Sequence, residues 1–213
     1  MIVWPTRSIV VAGFFCLSWI ALAQPQTAKE EDTFFRQFLD WVKTQPRDIQ
    51  KSSYCAFLGA QGISGIECDR RWELVIRRGR EGLETTEIFF DKTYAAPASD
   101  FKSTPNDFLV ACSTGLKPGR ALDIHMGQGR NALYLAEQGW DVTGFDISQE
   151  GVAHARAEAE RRRIRIKAVQ QTHQEFDFGR STWDLVVMSY VWIPLEVVAV
   201  SRSSYPVNRE MAR

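Results

Sequence analysis

The sequence lacks an excess of charge of either sign. Its 26 Lys and Arg residues balance 26 Asp and Glu residues. Proteins that follow a phosphate backbone usually carry a clear surplus of basic residues on one face, so the balance argues against a nucleic-acid partner. The chain has only three histidines and four cysteines, and no CxxC pair or His/Cys cluster predicts a metal site. Hydrophobic residues make up 45% and charged residues 24%, which excludes a disordered tail, a collagen or coiled-coil rod and a multispanning membrane protein.

The start of the chain has the pattern of an export signal. Arg7 precedes an apolar run at residues 9–23, and this run ends in the small-residue sequence Ala21-Leu22-Ala23. The run of about 15 residues is shorter than the roughly 20 that a helix needs to span the hydrocarbon core. We therefore expect a signal peptide at residues 1–23 and an exported protein, periplasmic or secreted. If the segment stayed uncleaved, residues 9–23 would anchor the chain to a membrane.

Cleavage after Ala23 would leave three cysteines. In an oxidising compartment Cys55 could pair with Cys68, but the spacing does not require that bond, and Cys112 would remain unpaired. The sequence favours three free cysteines, buried or half-buried.

The pattern of hydrophobic residues divides the chain into two parts. Residues 24–31 are polar and predict a linker, and residues 32–104 predict a helical segment. A helix over residues 84–94 is expected to turn Ile88, Phe89 and Phe90 inward. The first predicted helix has one apolar, aromatic face, formed by Phe34, Phe35, Phe38, Leu39, Trp41 and Val42.

From residue 105 to residue 194 strands and helices alternate, which predicts an α/β fold with a Rossmann-like, doubly wound, mostly parallel sheet. Ser148 is a plausible N-cap of the second helix of this part. The third strand, near residues 164–168, has the alternation of an edge strand, and the fourth is a continuous apolar run fit for burial on both faces. The predicted strands are residues 121–124, 141–145, 164–168 and 183–191, with helices at 131–138 and 148–163.

A glycine turn after the first of these strands carries the clearest functional pattern. Gly127 and Gly129 let the backbone approach a ligand, and the N–H groups at the start of the next helix point toward it. Asp146 lies 23 residues after Asp123, at the end of the second strand. A carboxylate there can accept both hydroxyls of a ribose.

Residues 121–148, ALDIHMGQGRNALYLAEQGWDVTGFDIS, resemble the first half of a class I S-adenosylmethionine-dependent methyltransferase of the bacterial methyltransferase-domain or tellurite-resistance-like group. The first motif of that family is an acidic residue followed by x-Gly-x-Gly-x-Gly, which Asp123, Gly127 and Gly129 match. The resemblance implies that the backbone of both glycines packs against the methionine part of S-adenosylmethionine. It also implies that Asp123 orders the amino end of this cofactor.

The resemblance extends over roughly residues 84–194 and implies three further contacts. Asp146 would hold the ribose, Ile147 would lie against the adenine, and Tyr94 belongs to a lead-in that folds over the cofactor. The implied activity is methyl transfer to a small-molecule acceptor. Neither the acceptor nor a catalytic base can be identified from the sequence.

The sequence departs from the family motif at histidines. His125 stands where the family has its first glycine, and a side chain at positive φ would cost about 1–2 kcal/mol or block the site. A tolerated or damaging substitution is favoured there over a catalytic base. His173 follows the third strand, where the family often has an acid that contacts adenine. The sequence favours a surface loop for His173, with Gln174 as a substitute acceptor, and no role for His154.

The end of the chain is short for this family, whose sheet has seven strands. Each further strand-helix-strand unit needs roughly 30 residues, and 23 residues follow Tyr190. We expect a truncated or frame-shifted family member in which residues 195–213 form an irregular tail.

Two other functions remain open. Gly127, Gly129 and Ala132 also satisfy the G-x-G-x-x-G/A pattern of an NAD-dependent oxidoreductase, in which Asp146 would select NAD. Asp123 favours the methyltransferase, because the dinucleotide pattern requires no acid there. Since S-adenosylmethionine is made inside cells, an exported chain could instead keep the fold as a non-catalytic interaction module.

Overall fold

The computed structural model describes residues 27–96 and 102–189. The predicted signal peptide at residues 1–23 and the predicted tail at residues 195–213 lie outside these ranges. Across the two ranges, no helix has the length and apolar character needed to cross a membrane.

The first part of the chain is helical, as predicted. Its helices are α1 (Ala28–Lys43), α2 (Lys51–Gly59), α3 (Gly65–Glu81) and α4 (Glu84–Ala95). Helix α1 occupies four residues for which the sequence predicted a linker, because Thr27 and Glu30 form a capping box. The Thr27 hydroxyl accepts a bond from the Glu30 N–H (3.3 Å), and the Glu30 carboxylate accepts one from the Thr27 N–H (2.8 Å).

An aromatic cluster forms the core of the helical part. The ring of Phe38 on α1 meets the ring of Tyr54 on α2 nearly at right angles, with centroids 5.2 Å apart, and Trp41 lies 5.1 Å from Tyr54. The apolar face of α1 is therefore confirmed. On α4, Ile88 packs against this cluster but Phe89 is 45% exposed, so the prediction that Phe89 points inward is wrong. The guanidinium of Arg47 lies over its ring instead, 5.7 Å from the centroid.

A disulfide joins α2 to α3. Cys55 and Cys68 are bonded, with Cα atoms 5.4 Å apart, and Cys112 is an exposed free thiol. The expectation of three free cysteines is therefore wrong. The turn between α2 and α3 brings the two side chains together, which the separation of 13 residues did not by itself require.

Removing this disulfide should destabilise the helical part. A bond that closes a loop of this size restricts the unfolded chain and stabilises by roughly 3 kcal/mol. The double variant Cys55→Ala, Cys68→Ala should therefore unfold at lower urea than the parent. The Cys112→Ser variant should unfold as the parent does, because that thiol is exposed. Equal urea midpoints for the parent and the double variant would show that the bond does not stabilise the chain.

The second part of the chain is a parallel α/β sheet, which confirms the predicted fold class. The four described strands run in the order β3-β2-β1-β4, and every pairing is parallel. Ser148 is the N-cap of α7, as predicted, and its hydroxyl accepts a bond from the Gly151 N–H at 3.0 Å. The elements are α5 (Asp107–Ser113), β1 (Arg120–Ile124), α6 (Arg130–Glu137), β2 (Asp141–Asp146), α7 (Gln149–Arg162), β3 (Lys167–Gln170) and β4 (Leu185–Met188).

The outer strands differ from expectation in length and burial. β3 lies at an edge, as predicted, but begins at Lys167. β4 is four residues long and forms the opposite edge of the described sheet. Val187 is buried in this strand, but Met188 is 44% exposed. The prediction that this strand is buried on both faces is therefore wrong for the residues described.

Helix α4 connects the helical part to the sheet. The Asp91 carboxylate accepts bonds from the Ser148 hydroxyl (2.6 Å) and from the Glu150 N–H (3.2 Å) at the start of α7. This pairing places the last turn of α4, including Tyr94, over the carboxyl ends of β1 and β2. Ligands of open α/β sheets bind at that edge.

Candidate functional site

A cavity of about 900 Å³ opens at the carboxyl ends of β1 and β2. Its lining includes five of the six residues for which the sequence predicts a binding role, namely Tyr94, Asp123, Gly127, Asp146 and Ile147. The sixth, Gly129, does not line the cavity. The structure therefore brings together residues that are up to 53 positions apart in the chain.

Asp123 lies near the end of β1 and is only 1% exposed. Its Oδ2 atom is buried and accepts no hydrogen bond from the described residues. Burial raises the pKa of this carboxyl to about 7, an effect that a hydrogen bond from the Ala132 backbone opposes and that the nearby Asp146 reinforces. A buried acceptor without a donor is costly, so Asp123 is ready to accept a bond from a cationic ligand.

Asp146 ends β2, and backbone donors already hold its carboxylate. The Gly127 N–H donates to Oδ2 (2.8 Å) and the Ser148 N–H donates to Oδ1 (2.9 Å). Burial raises the pKa of Asp146, and these two hydrogen bonds counteract the rise. Each oxygen retains acceptor capacity, so two ligand hydroxyls could still bind. The N–H of Gly127, however, is occupied by Asp146 and does not point at a ligand.

Tyr94 lies over the glycine turn. Gly127 has φ of 55°, and a Cβ at this position would collide with the Tyr94 hydroxyl. The ring also lies against Gly151, where an added Cβ would be 3.0 Å from two ring carbons. Burial raises the pKa of the Tyr94 hydroxyl, so the side chain stays neutral. Glycine at 127 is thus required for the close approach of Tyr94 as well as for the turn.

Gly129 has a packing role in addition to the cofactor contact that the resemblance implies. It is the N-cap of α6 with φ of 79°, and a Cβ there would lie 2.8 Å from the Cβ of Ala155 on α7. The glycine therefore permits close packing of α6 against α7.

Substitution of three glycines by alanine should separate strain from steric collision. Gly129→Ala combines positive φ with a collision and should cost about 2–4 kcal/mol. Gly62 has φ of 77° but open space around it, so Gly62→Ala should cost only about 1 kcal/mol. Gly59 has neither feature and lies in α2, so Gly59→Ala should be neutral or stabilising. Urea unfolding of the three variants checks this order, and a Gly129→Ala cost no larger than that of Gly62→Ala would refute the helix-packing role.

Two histidines meet at the edge of the cavity. His125 has φ of 54°, the strained conformation that the motif position predicts for a residue in place of glycine. Its Nε2 lies 3.3 Å from Nδ1 of His173, and its ring meets Phe145 edge-on. Burial, reinforced by the nearby His173, lowers the pKa of His125 to about 4.

His173 lies in a loop, as predicted, but it is not fully exposed. His173 is partly buried and lines the cavity, because the loop after β3 folds over the end of β2. Gln174 is exposed and does not line the cavity, so the suggested substitute acceptor lies elsewhere. His154, for which no role was predicted, also lines the cavity, and its Nδ1 lies 3.1 Å from the Gln128 amide nitrogen.

A polar connection on the other side of the cavity was not predicted from the sequence. The Asn131 side chain accepts a bond from the Asn106 N–H (2.9 Å) and donates one to the Ser189 hydroxyl (3.2 Å). Asn131 thus ties the segment before α5 to the segment after β4. No spacing rule links these three positions, so only the folded structure reveals the contact.

Comparison with known proteins shows which proteins the part of the chain around this site resembles. Residues 121–206 match the methyltransferase domain family. A protein of Haemophilus influenzae described as "Probable S-adenosyl-L-methionine-dependent methyltransferase TehB" is 37% identical over 102 residues, which are 45% of this chain and 34% of that protein. The part of the chain that forms the site is therefore similar to S-adenosylmethionine-dependent methyltransferases. S-Adenosylmethionine is the cofactor for which that relative is named.

The similarity covers only a small part of each relative's length. The 23S rRNA (uracil(747)-C(5))-methyltransferase of Pyrococcus abyssi is 32% identical over 89 residues, 40% of this chain and 20% of that enzyme. The chain thus spans about a third or less of the length of these two relatives. One of them is named for an RNA substrate, so the expectation that nucleic acid is excluded as a partner stays untested.

A solved structure from work on the conversion of a disulfide bond into a thioacetal group during echinomycin biosynthesis is also similar. It is 28% identical, the match covers 50% of this chain and 47% of that one, and the TM-score is 0.43. A score this low adds nothing to the fold described above.

Proposed function

We propose that the cavity binds S-adenosylmethionine and that the chain transfers the methyl group of this cofactor to a small-molecule acceptor. The observation that carries the proposal is the buried Oδ2 of Asp123, which has no donor among the described residues. The ammonium group of the methionine part would supply that donor. A charge-assisted hydrogen bond in a buried site is roughly twice as strong as a neutral one.

The other residues around the cavity fit the rest of the cofactor. Asp146 retains acceptor capacity for the two ribose hydroxyls. Ile147 offers an apolar side chain beside it, on which the adenine could lie. Tyr94 covers the glycine turn, next to the position proposed for the methionine part of the cofactor. The volume of about 900 Å³ lies within the range of cofactor pockets.

Methyl transfer requires little of the protein beyond positioning the cofactor and the acceptor. When bound, the cofactor supplies a methyl group on a positively charged sulfur. The protein's task is to hold the cofactor in one orientation beside the acceptor, and such positioning can account for a large part of a rate enhancement. Asp123 and Asp146 fix two separate points of the cofactor, which is sufficient to set its direction in the cavity.

Equilibrium binding to the full purified chain tests this proposal. S-Adenosylhomocysteine should bind saturably with one molecule per chain in isothermal titration calorimetry, and NADH should not displace it. Methyl transfer is then measured as the release of S-adenosylhomocysteine in the presence of a panel of acceptors. Saturable NADH binding without S-adenosylhomocysteine binding would support the oxidoreductase alternative and reject the proposal.

We also propose that the chain is exported, and S-adenosylmethionine would then have to reach it outside the cytoplasm. The pattern of residues 1–23 supports this. The Cys55–Cys68 disulfide gives independent support, because such bonds persist in oxidising compartments. Mass spectrometry of the protein from the periplasm or the medium should find a new N-terminus after Ala23. Recovery of the intact chain only from the reducing cytoplasm would reject export.

A further inference from the structure

Asp91 does not line the cavity, but its carboxylate is hydrogen-bonded to the segment that follows β2. It extends from α4, and its Oδ1 atom accepts a bond from the Ser148 hydroxyl (2.6 Å) and another from the Glu150 N–H (3.2 Å). Ser148 is fully buried, so water does not reach its hydroxyl. A hydrogen bond to an ionised acceptor is roughly twice as strong as one between neutral groups. A charged side chain thus fixes α4 to the start of α7.

Ser148 connects Asp91 to the carboxylate that is proposed to bind the ribose. The Ser148 hydroxyl donates to Asp91 and also accepts a bond from the Gly151 N–H (3.0 Å), so its orientation is set in both directions. The N–H of Ser148 donates to Oδ1 of Asp146 (2.9 Å). The other oxygen of Asp146 accepts a bond from the Gly127 N–H (2.8 Å). A displacement of Ser148 would therefore move a donor that holds Asp146.

A second contact of α4 reaches the same segment. Glu87 lies one helical turn before Asp91, on the same face of the helix. The Gln170 side chain, at the end of β3, donates to the Glu87 carboxylate (3.2 Å) and to the Ile147 carbonyl (3.3 Å). Two carboxylates of α4 are thus connected to the two residues that directly follow the ribose-binding carboxylate.

Tyr94 contacts the site from the same face of α4, because it lies three residues after Asp91. Its ring lies against Gly151 in the first turn of α7, and its hydroxyl lies over Gly127. Asp91 and Tyr94 therefore hold α4 against α7 together. Loss of the Asp91 contact would release the end of α4 that carries Tyr94.

We propose that Asp91 is a positioning residue of the cofactor site, which holds Ser148, and through it the Asp146 carboxylate, in the orientation that accepts the ribose hydroxyls. Because Asp91 does not line the cavity, its effect on a ligand is indirect. A group that is already held in the bound orientation loses less freedom when the ligand binds. This inference rests on the proposed function, since it concerns how S-adenosylmethionine is held.

Titration of two ligands into the full chain tests the role of Asp91. S-Adenosylhomocysteine and adenosine are each titrated into the parent, Asp91→Ala and Asp91→Asn by isothermal titration calorimetry at pH 8. Adenosine contains the ribose and the base but lacks the amino group that Asp123 is proposed to bind. A change in the position of Asp146 should therefore weaken both ligands to the same extent. The matched control is Glu84→Ala, which removes an exposed carboxylate from the same helix and does not affect the cavity lining.

Asp91→Ala should bind both ligands roughly tenfold more weakly than the parent. Asp91→Asn should bind them within about threefold of the parent, because its side-chain oxygen can still accept both hydrogen bonds. Glu84→Ala should bind as the parent does. A merely structural role would lower the urea midpoint of Asp91→Ala but leave the affinity of the folded protein unchanged. Equal affinity in Asp91→Ala and the parent, or a loss confined to S-adenosylhomocysteine, would therefore overturn the proposal.

Ser148→Ala breaks the same contact from α7 and provides the test if Asp91→Ala does not fold. This variant should also weaken both ligands, and the double variant should lose less affinity than the sum of the two single losses, because both changes remove one shared bond. Parental affinity in Ser148→Ala would overturn the proposal. A parent that binds neither ligand would reject the proposed function, and this inference with it. A parent that binds both ligands no better than Asp91→Ala would reject this inference alone.

Discussion

Replacing Asp123 with asparagine should weaken S-adenosylhomocysteine binding by about 100-fold. The change keeps the shape of the side chain but removes the charge on the buried Oδ2. A charge-assisted hydrogen bond to a buried group contributes about 1.5–3 kcal/mol, and about 2.7 kcal/mol corresponds to a factor of 100 in affinity. Isothermal titration calorimetry of both proteins at pH 8 measures the difference.

The pH dependence of binding provides a second readout of the same substitution. Burial holds the pKa of Asp123 near 7 in the free protein. Below that pH the carboxyl is protonated and must lose its proton to pair with an ammonium group, so affinity should fall by up to about tenfold per pH unit. The Asp123→Asn variant should lack that part of the dependence, because asparagine does not titrate.

An aspartate outside the cavity gives the matched control. Asp141 is exposed at the start of β2 and does not line the cavity. The Asp141→Asn variant should bind S-adenosylhomocysteine as the parent does. Equal affinity in the parent and Asp123→Asn would contradict the assigned role of Asp123.

The Asp123→Asn and His125→Gly substitutions should change the pH dependence of stability in opposite directions. For Asp123 the folded pKa is raised from 3.8 to about 7. Between these values the unfolded chain is ionised there and the folded chain is protonated, so stability falls as the pH rises. The free energy of unfolding falls by at most about 1.4 kcal/mol per pH unit. The Asp123→Asn variant lacks this destabilising effect, so it should be more stable than the parent at neutral pH.

For His125 the folded pKa is lowered from 6.5 to about 4. Between these values the unfolded chain is protonated there and the folded chain is neutral, so stability rises as the pH rises, again by at most about 1.4 kcal/mol per pH unit. The two effects oppose each other between about pH 4 and pH 6.5. Each single substitution removes one of them and leaves the other.

Urea unfolding at half-unit steps of pH from 4 to 7 measures the two slopes. Relative to the parent, Asp123→Asn should show stability that rises more steeply with pH, and His125→Gly should show stability that rises less steeply or falls. Asp146, Glu87 and His173 also have shifted pKa values. They are present in all three proteins, so each difference reports the substituted group together with its coupling to its titrating neighbour. Parallel curves would refute the pKa shifts at both residues.

Much of the site follows from local sequence. Asp123, the glycine turn and Asp146 lie within one strand-helix-strand unit, and a parallel sheet necessarily brings the carboxyl ends of neighbouring strands together. Strain at His125 could also be anticipated, because the motif position calls for glycine and the observed φ is 54°. These features depend on residues close together in the chain.

The features that were missed depend on residues far apart in the chain or on weak local signals. His173 meets His125 across a separation of 48 residues because the loop after β3 folds over β2. The Cys55–Cys68 bond depends on how α2 turns into α3. The packing role of Gly129 depends on Ala155, which lies 26 residues further along the chain. The start of α1, by contrast, could have been found from the capping-box pattern of Thr27 and Glu30.

The central claim is that Asp123 receives the ammonium group of the cofactor, and one thermodynamic cycle tests it directly. S-Adenosylhomocysteine and an analogue that lacks its amino group are titrated into the parent and into Asp123→Asn at pH 8. The parent should prefer S-adenosylhomocysteine by about 100-fold, and the variant should bind both ligands about equally. The same preference in both proteins would show that the amino group binds elsewhere and would contradict the account.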